Sequence, residues 1–267
     1  MLKVKKLNFA YGKRRVLKDV DFSVGQASIV SLIGPNGSGK STLLRCLSGL
    51  LPVKEKTVFL FGRAIESLGI KEKAKLISYL PQNQERLQGV NVHELVSMGR
   101  APYHKTGWVN TDGDLEKINW AIEYMQLGSM VHRPVEKLSG GEKQRAWIAM
   151  VLAQDTPIIL MDEPTTYMDL KHQYELLKML KDFKESFNKT IIAVFHDMNH
   201  AIRVSDQVYL LDEGHISRSG ASEHVITEET VREVYNVPVH ICKFRKCCHK
   251  SCSPRRRKIS LIFYLTK

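Results

Sequence analysis

Hydrophobic positions along this chain follow two periods, and the change of period divides it. Short apolar runs rich in β-branched and aromatic residues predict strands over 2–9, 20–24, 28–33, 57–61 and 77–80. Three later runs, over 158–161, 191–195 and 208–211, are unbroken apolar segments. That is the pattern of strands covered on both faces in a parallel sheet. A helical pattern follows the third strand over 41–51. Between Val90 and Gln154 no strand pattern occurs, and helices are expected over about 92–98, 112–125 and 142–154. The block of about 86–155 therefore reads as a helical subdomain set into an α/β core. No internal repeat or low-complexity linker interrupts the chain.

Composition adds limits. The 267 residues are 43% hydrophobic and 25% charged, as in an ordinary globular chain and unlike a disordered or collagen-like one. The longest uninterrupted apolar stretch, 146–153, falls far short of the roughly 20 residues a spanning helix needs. The opening Met1-Leu2-Lys3-Val4-Lys5-Lys6 has no apolar signal core, so a soluble intracellular protein is expected. A net charge of +12 points towards nucleic acid or an anionic membrane. Its distribution changes that picture: residues 241–267 hold nine Lys and Arg and no acid, leaving +3 for the first 240. The same segment holds Cys242, Cys247, Cys248 and Cys252, so Cys46 is the one cysteine of the body. A free thiol in an apolar helical pattern suits a reducing compartment.

Three motifs carry chemistry. Gly34-Pro35-Asn36-Gly37-Ser38-Gly39-Lys40-Ser41-Thr42 matches the phosphate-binding loop pattern. Its glycines let backbone N–H groups converge on phosphate oxygens where a Cβ would intrude. Lys40 supplies a cation to the β- and γ-phosphates, and Ser41 a hydroxyl to Mg²⁺. An accidental Gly-rich turn would lack the preceding strand and following helix that this loop has, whose N-terminal partial charge favours an anion. The second motif, Ile158-Ile159-Leu160-Met161-Asp162-Glu163-Pro164, ends a buried strand in two carboxylates. Acidic turn residues commonly end strands, but beside a phosphate loop the pair separates two incompatible tasks. Asp162 would hold Mg²⁺ through its water shell, and Glu163 would polarise the attacking water as general base. In the third, Leu138-Ser139-Gly140-Gly141-Glu142-Lys143-Gln144-Arg145, Ser139 and Glu142 form a capping box. Two glycines at that helix start also make a second anion site, which makes sense if two chains sandwich ATP.

With these motifs in this order, residues 1–240 resemble the ATPase subunits of ATP-binding cassette (ABC) transporters. The resemblance implies an α/β fold: a P-loop NTPase (RecA-like) core, an N-terminal antiparallel β subdomain and an inserted helical subdomain. It implies that Tyr11 stacks on adenine and that Gln82 touches Mg²⁺ and relays to the membrane partner. Ser139 and Gly141, flanking Gly140, would reach the γ-phosphate held by the opposite subunit. Asp169 would cross the dimer interface, and His196 would contact the γ-phosphate. Pro164-Thr165-Thr166-Tyr167-Met168-Asp169-Leu170-Lys171-His172-Gln173 further resembles importers of iron-siderophores, haem and cobalamin. So do Arg145-Ala146-Trp147-Ile148-Ala149-Met150 and Gly99-Arg100 with Pro102-Tyr103. The implied cofactors are ATP and Mg²⁺. The implied partners are a second identical subunit, an integral-membrane permease and an extracytoplasmic substrate-binding protein, with no nucleic acid. The implied location is the cytoplasmic face of the cell membrane.

Other readings compete at particular residues. His196-Asp197-Met198-Asn199-His200 resembles the zinc-protease pattern H-E-x-x-H. Asp is a shorter base than that pattern needs, and His196 follows a strand instead of lying mid-helix. A soluble ABC-type ATPase acting on nucleic acid or ribosomes is the alternative function, but such chains usually carry two cassettes or large insertions. A non-catalytic interaction subunit sits poorly with intact Lys40, Glu163 and His196. The basic, Cys-rich tail 241–267 is expected to be disordered. Its abrupt composition resembles translation in a shifted frame; a solvated basic tail remains open, and its crowded cysteines fit zinc spacing poorly.

Overall fold

In the computed structural model, residues 1–84, 87–104, 109–166, 168–237 and 239–241 are described, with the backbone of 263–265. The first strands form an antiparallel sheet ordered β2-β1-β4-β5, from β1 (Leu2–Tyr11), β2 (Arg14–Val24), β4 (Val58–Leu60) and β5 (Arg63–Ala64). A second sheet is ordered β10-β9-β3-β8-β7-β6. In it β3 (Ile29–Ile33), β6 (Ile77–Leu80), β7 (Ile158–Asp162), β8 (Thr190–Val194) and β9 (Gln207–Asp212) run parallel. Only β10 (His215–Gly220) runs antiparallel, on the edge beside β9.

The unbroken apolar runs are explained by alternation between two cores. Ile29, Ile33, Ile159, Met161, Ile191 and Ala193 face one cluster, while Val30, Leu32, Ile158, Leu160, Ile192 and Val194 face the other. The second cluster is closed by Leu2, Val4, Phe22 and Val58 of the antiparallel sheet and by α1 (Lys40–Leu47), including Cys46. Helix α2 (Ile70–Leu76) leads into β6. The first cluster is covered by α3 (Val92–Met98), α4 (Asp112–Tyr124), α5 (Gly140–Ala153), α6 (Leu170–Phe187) and α7 (Met198–Val204). Helices α8 (Ser222–Val225) and α9 (Glu228–Tyr235) follow the edge strand.

Between β6 and β7 the described residues form helices and turns, joined by one isolated bridge, Asn91 to Pro134. Helices α3, α4 and α5 each open with a complete capping box, at Asn91–Glu94, Thr111–Asp114 and Ser139–Glu142. Their starts are thus fixed by local chemistry.

Sequence expectation and structure differ where polarity hid a strand. β2 starts at Arg14, not residue 20, because Arg14, Arg15, Lys18 and Asp19 face outward or line a cleft. β10 alternates exposed and half-buried positions without an apolar run. α1 ends at Leu47, with Ser48 as its C-cap, short of the expected residue 51. Tyr167 and the readings made for the tail at 242–262 and 266–267 lie outside the described residues. The backbone of β12 (Phe263–Leu265) pairs antiparallel with β11 (Val239–Ile241). Among the described residues no helix is long and apolar enough to cross a membrane.

Candidate functional site

The carboxyl ends of four neighbouring parallel strands converge on one cleft, the usual place for a ligand in an open α/β sheet. Strand β3 is buried throughout and leads into the loop 34–39. A Cβ on Gly34 would come within 2.0 Å of the Leu211 carbonyl oxygen, and Gly39 holds φ +106 against Leu17 and Val16. Only glycine allows the chain to pass this close to two strands. The helix that follows is unfinished: Gly39 gives α1 no side-chain cap, and its first turn holds no acid. Ser38 Oγ is buried without a hydrogen-bond partner. These open donors fit a phosphate group. Lys40 Nζ, buried, donates to the carbonyls of Gly34 and Pro35, each at 2.8 Å. Burial pushes its ammonium down, opposed by the charges of Glu163 and Asp162.

The two carboxylates have separate surroundings. Ser41 Oγ donates to Asp162 Oδ1 at 3.0 Å, and Tyr79 Oη donates to Oδ2 at 3.4 Å. Burial pushes the Asp162 carboxyl up, the Ser41 hydroxyl draws it down, and the neighbouring Glu163 charge raises it. A hydroxyl beside a carboxylate is the hard-oxygen donor set that suits Mg²⁺. Glu163 is 8% exposed and holds a left-handed φ of 52°. Gln82 Nε2 donates to its Oε2 at 2.6 Å, and His196 Nε2 lies 2.5 Å from its Oε1. Gln82 follows β6, Glu163 follows β7 and His196 stands just past β8. The cleft measures about 860 Å³ and includes Tyr11, Asn36, Gly37, Gly39, Lys40, Ser41, Thr42, Gln82, Glu163 and His196 in its lining.

The remaining expected residues stand elsewhere. Ser139 and Gly140 are exposed at the start of α5, Gly141 is half-buried, and none lines this cleft. Asp169 caps α6, accepting from the His172 backbone N–H at 2.9 Å, and its side chain is 65% exposed. His196 precedes the helix that carries His200, whose Nε2 instead lies 3.7 Å from Asp197. The zinc-like spacing therefore does not put both rings on one helix face.

The family described as ABC transporter matches residues 17–166, more than half of the chain. The chain belongs to the ABC transporter family. A similar member is the iron(3+)-hydroxamate import ATP-binding protein FhuC of Bacillus subtilis (strain 168). It is 41% identical over 241 residues, covering 90% of this chain and 89% of the relative. The ferric enterobactin transport ATP-binding protein FepC of Escherichia coli (strain K12) is 38% identical, covering 88% and 87%. An inward-facing structure of an ABC transporter described as metal-chelate type superposes with a TM-score of 0.80 at 26% identity, covering 92% and 93%. A dimeric post-hydrolysis cassette bound to ADP and Pi superposes at 0.75 and 26% identity, covering 83% and 99%.

As an ABC cassette the chain is an ATP-binding ATPase subunit, with the α/β core, antiparallel sheet and helical region of its structural neighbours. Several groups at or beside the cleft are not announced by any motif. Thr166 Oγ1 donates to Glu163 Oε2 at 3.4 Å. Arg14, Arg15, Lys18 and Glu213 line the cleft. The charge cluster over 13–18 was visible in the sequence, but the strand that carries it was not, and Glu213 reaches the cleft only through the β9–β10 turn.

Proposed function

We propose that this cassette hydrolyses ATP in a two-fold, head-to-tail dimer and thereby energises import of an iron-siderophore or related metal chelate. The carrying observation is the Glu163 carboxylate, held between Gln82 and His196 on the cleft that also contains Lys40. Support for the cargo comes from relatives whose names specify iron-hydroxamate and enterobactin transport. The dimer reading draws on a cassette neighbour that is dimeric, and the permease reading on a neighbour that is a whole transporter. An extracytoplasmic substrate-binding protein and a place on the cytoplasmic membrane face complete the proposal.

The roles divide among the residues as follows. Tyr11 packs on the base, the 34–42 loop cradles the phosphates, and Lys40 leaves its two carbonyls to meet the β- and γ-oxygens. Ser41 and Asp162 would hold Mg²⁺, with Gln82 beside it. When bound, that ion neutralises charge on the β- and γ-phosphates. Glu163 accepts the proton of the attacking water, and Gln82 and His196 orient its carboxylate. Ser139, Gly140 and Gly141 of one chain close over the γ-phosphate bound by the other, with Asp169 at the crossing between them.

The test is Glu163→Gln. It keeps the shape and one acceptor oxygen but removes the base, so turnover should fall by about 10²–10⁴-fold while ATP binding and ATP-dependent dimerisation persist. Turnover at the wild-type rate would refute the assignment.

A further inference from the structure

The charge of this chain is strongly separated. Residues 1–64 carry +9, whereas residues 65–240 carry −6. Part of the positive excess lies on one strand at the mouth of the cleft. Tyr11 pairs with Arg14 and Ala10 with Arg15 across the β1–β2 hairpin, and Arg14, Arg15 and Lys18 all line the cleft. These three side chains make no ion pair, hydrogen bond or ring contact among the described residues. Glu213, in the β9–β10 turn, lines the same cleft and is likewise unpaired there.

The framework that carries these charges is fixed against the phosphate loop. The Gly214 N–H donates to the Ser38 carbonyl at 3.2 Å, and the Lys18 N–H donates to the Gly214 carbonyl at 2.9 Å. The backbone of the β2 strand and the β9–β10 turn, which carries these charges, is therefore fixed around the opening. Like charges left unpaired in one concavity repel one another, and an entering anion relieves that repulsion. A concave wall also focuses the field and speeds capture of an opposite charge.

We propose that Arg14, Arg15 and Lys18 form a cationic rim that binds the phosphate charge of the nucleotide, with Glu213 as its opposing charge. The proposal rests on the nucleotide reading of the cleft and extends it: net charge at the rim sets affinity, and the more highly charged triphosphate gains more than the diphosphate. Lys40 acts from the buried floor; the rim acts through solvent and is screened by salt.

The experiment measures Kd for ATP and ADP with full-length protein at low and physiological ionic strength. For Arg14→Ala/Arg15→Ala/Lys18→Ala, the ATP Kd at low salt should rise about tenfold, more than the ADP Kd, and its salt dependence should flatten. Glu213→Gln should move the other way, tightening ATP about two- to threefold at low salt. In turnover, both effects fall on KM more than on kcat. A triple variant with wild-type Kd and salt slope overturns the proposal, as does weaker ATP binding by Glu213→Gln. Because partial unfolding only weakens binding, the opposite sign expected for Glu213→Gln separates charge from damage. If the unaltered protein binds no ATP, the nucleotide reading itself fails, a result distinct from either variant's.

Discussion

Two glycine-bearing helix starts in this cassette are built in opposite ways. At α1, Gly39 provides no cap, the first turn has no acid, and Ser38 Oγ is buried without a partner. At α5, the Ser139 N–H donates to Glu142 Oε2 at 2.8 Å, and the Glu142 N–H donates back to Ser139 Oγ at 3.4 Å. One start is incomplete and faces a deep cleft; the other is locally satisfied and exposed on the surface. A helix N-terminus left uncapped costs stability until an anion arrives, so it binds strongly. A capped one is stable alone and offers only its remaining donors. The difference suits a composite site in which the loop holds ATP and the α5 start of a second chain contributes on closure.

The largest effect should come from the unfinished end. Lys40→Ala removes the buried cation and about 3 kcal/mol of charge-assisted hydrogen bonding, on the order of a hundredfold in ATP Kd. Titration with ATP checks it, and an unchanged Kd would break the comparison at its stronger side. A smaller effect belongs to the capped end. Ser139→Ala should cost about 1 kcal/mol of stability through the lost cap, read by urea unfolding. It should also lower turnover, since it removes a group proposed to act on the partner's ATP. Mixing Lys40→Ala with Ser139→Ala chains then tests the composite directly. A mixed dimer keeps one intact pairing of loop and α5 start, so the mixture should regain turnover that neither variant shows alone. No recovery would mean that the two helix starts serve one chain.

The floor of the cleft was legible in sequence because its chemistry is local. The loop 34–42 and the carboxylates at the end of β7 are contiguous runs, as is the capping box at Ser139 outside the cleft, and the structure puts them at the predicted strand and helix ends. The mouth was not legible, because it depends on pairing. Arg14 and Arg15 reach the cleft only since β2 folds back on β1 at residues 12–13, and the six residues before Val20 have too few apolar positions to announce a strand. Glu213 arrives from a turn far along the chain that packs on the loop. The Glu163 contacts to Gln82 and His196 join strands β6, β7 and β8, which no spacing rule encodes. The carboxylate itself was readable, whereas its partners came only through family resemblance.

A last effect, on stability alone and not on ATP binding or turnover, concerns what holds α5 in place behind its exposed start. Arg100 Nε donates to Asp114 Oδ1 at 2.8 Å, and its Nη1 donates to the Ala153 carbonyl at the last residue of α5, also at 2.8 Å. Tyr103 stacks under the guanidinium and donates to the Gln154 carbonyl at 2.9 Å. Both members of the ion pair are buried, with side chains 9% and 6% exposed. Burial alone would raise the Asp114 carboxyl, but hydrogen bonds from Thr111 and the Arg100 charge outweigh it and hold the group at about 2, against an ordinary 3.8. A carboxyl depressed on folding stabilises the protein above its unfolded value, and that contribution is lost as pH falls from about 4 towards 2. The amount at stake is about 2 kcal/mol. Asp114→Asn leaves Arg100 buried without its anion, so it should be clearly less stable than wild type at pH 5. The gap should narrow as pH is lowered to 3 and below, because the wild type then loses the same charge. Unfolding midpoints at both pH values decide it. A gap independent of pH would show that packing around α4, and not the ion pair, anchors the inner end of α5.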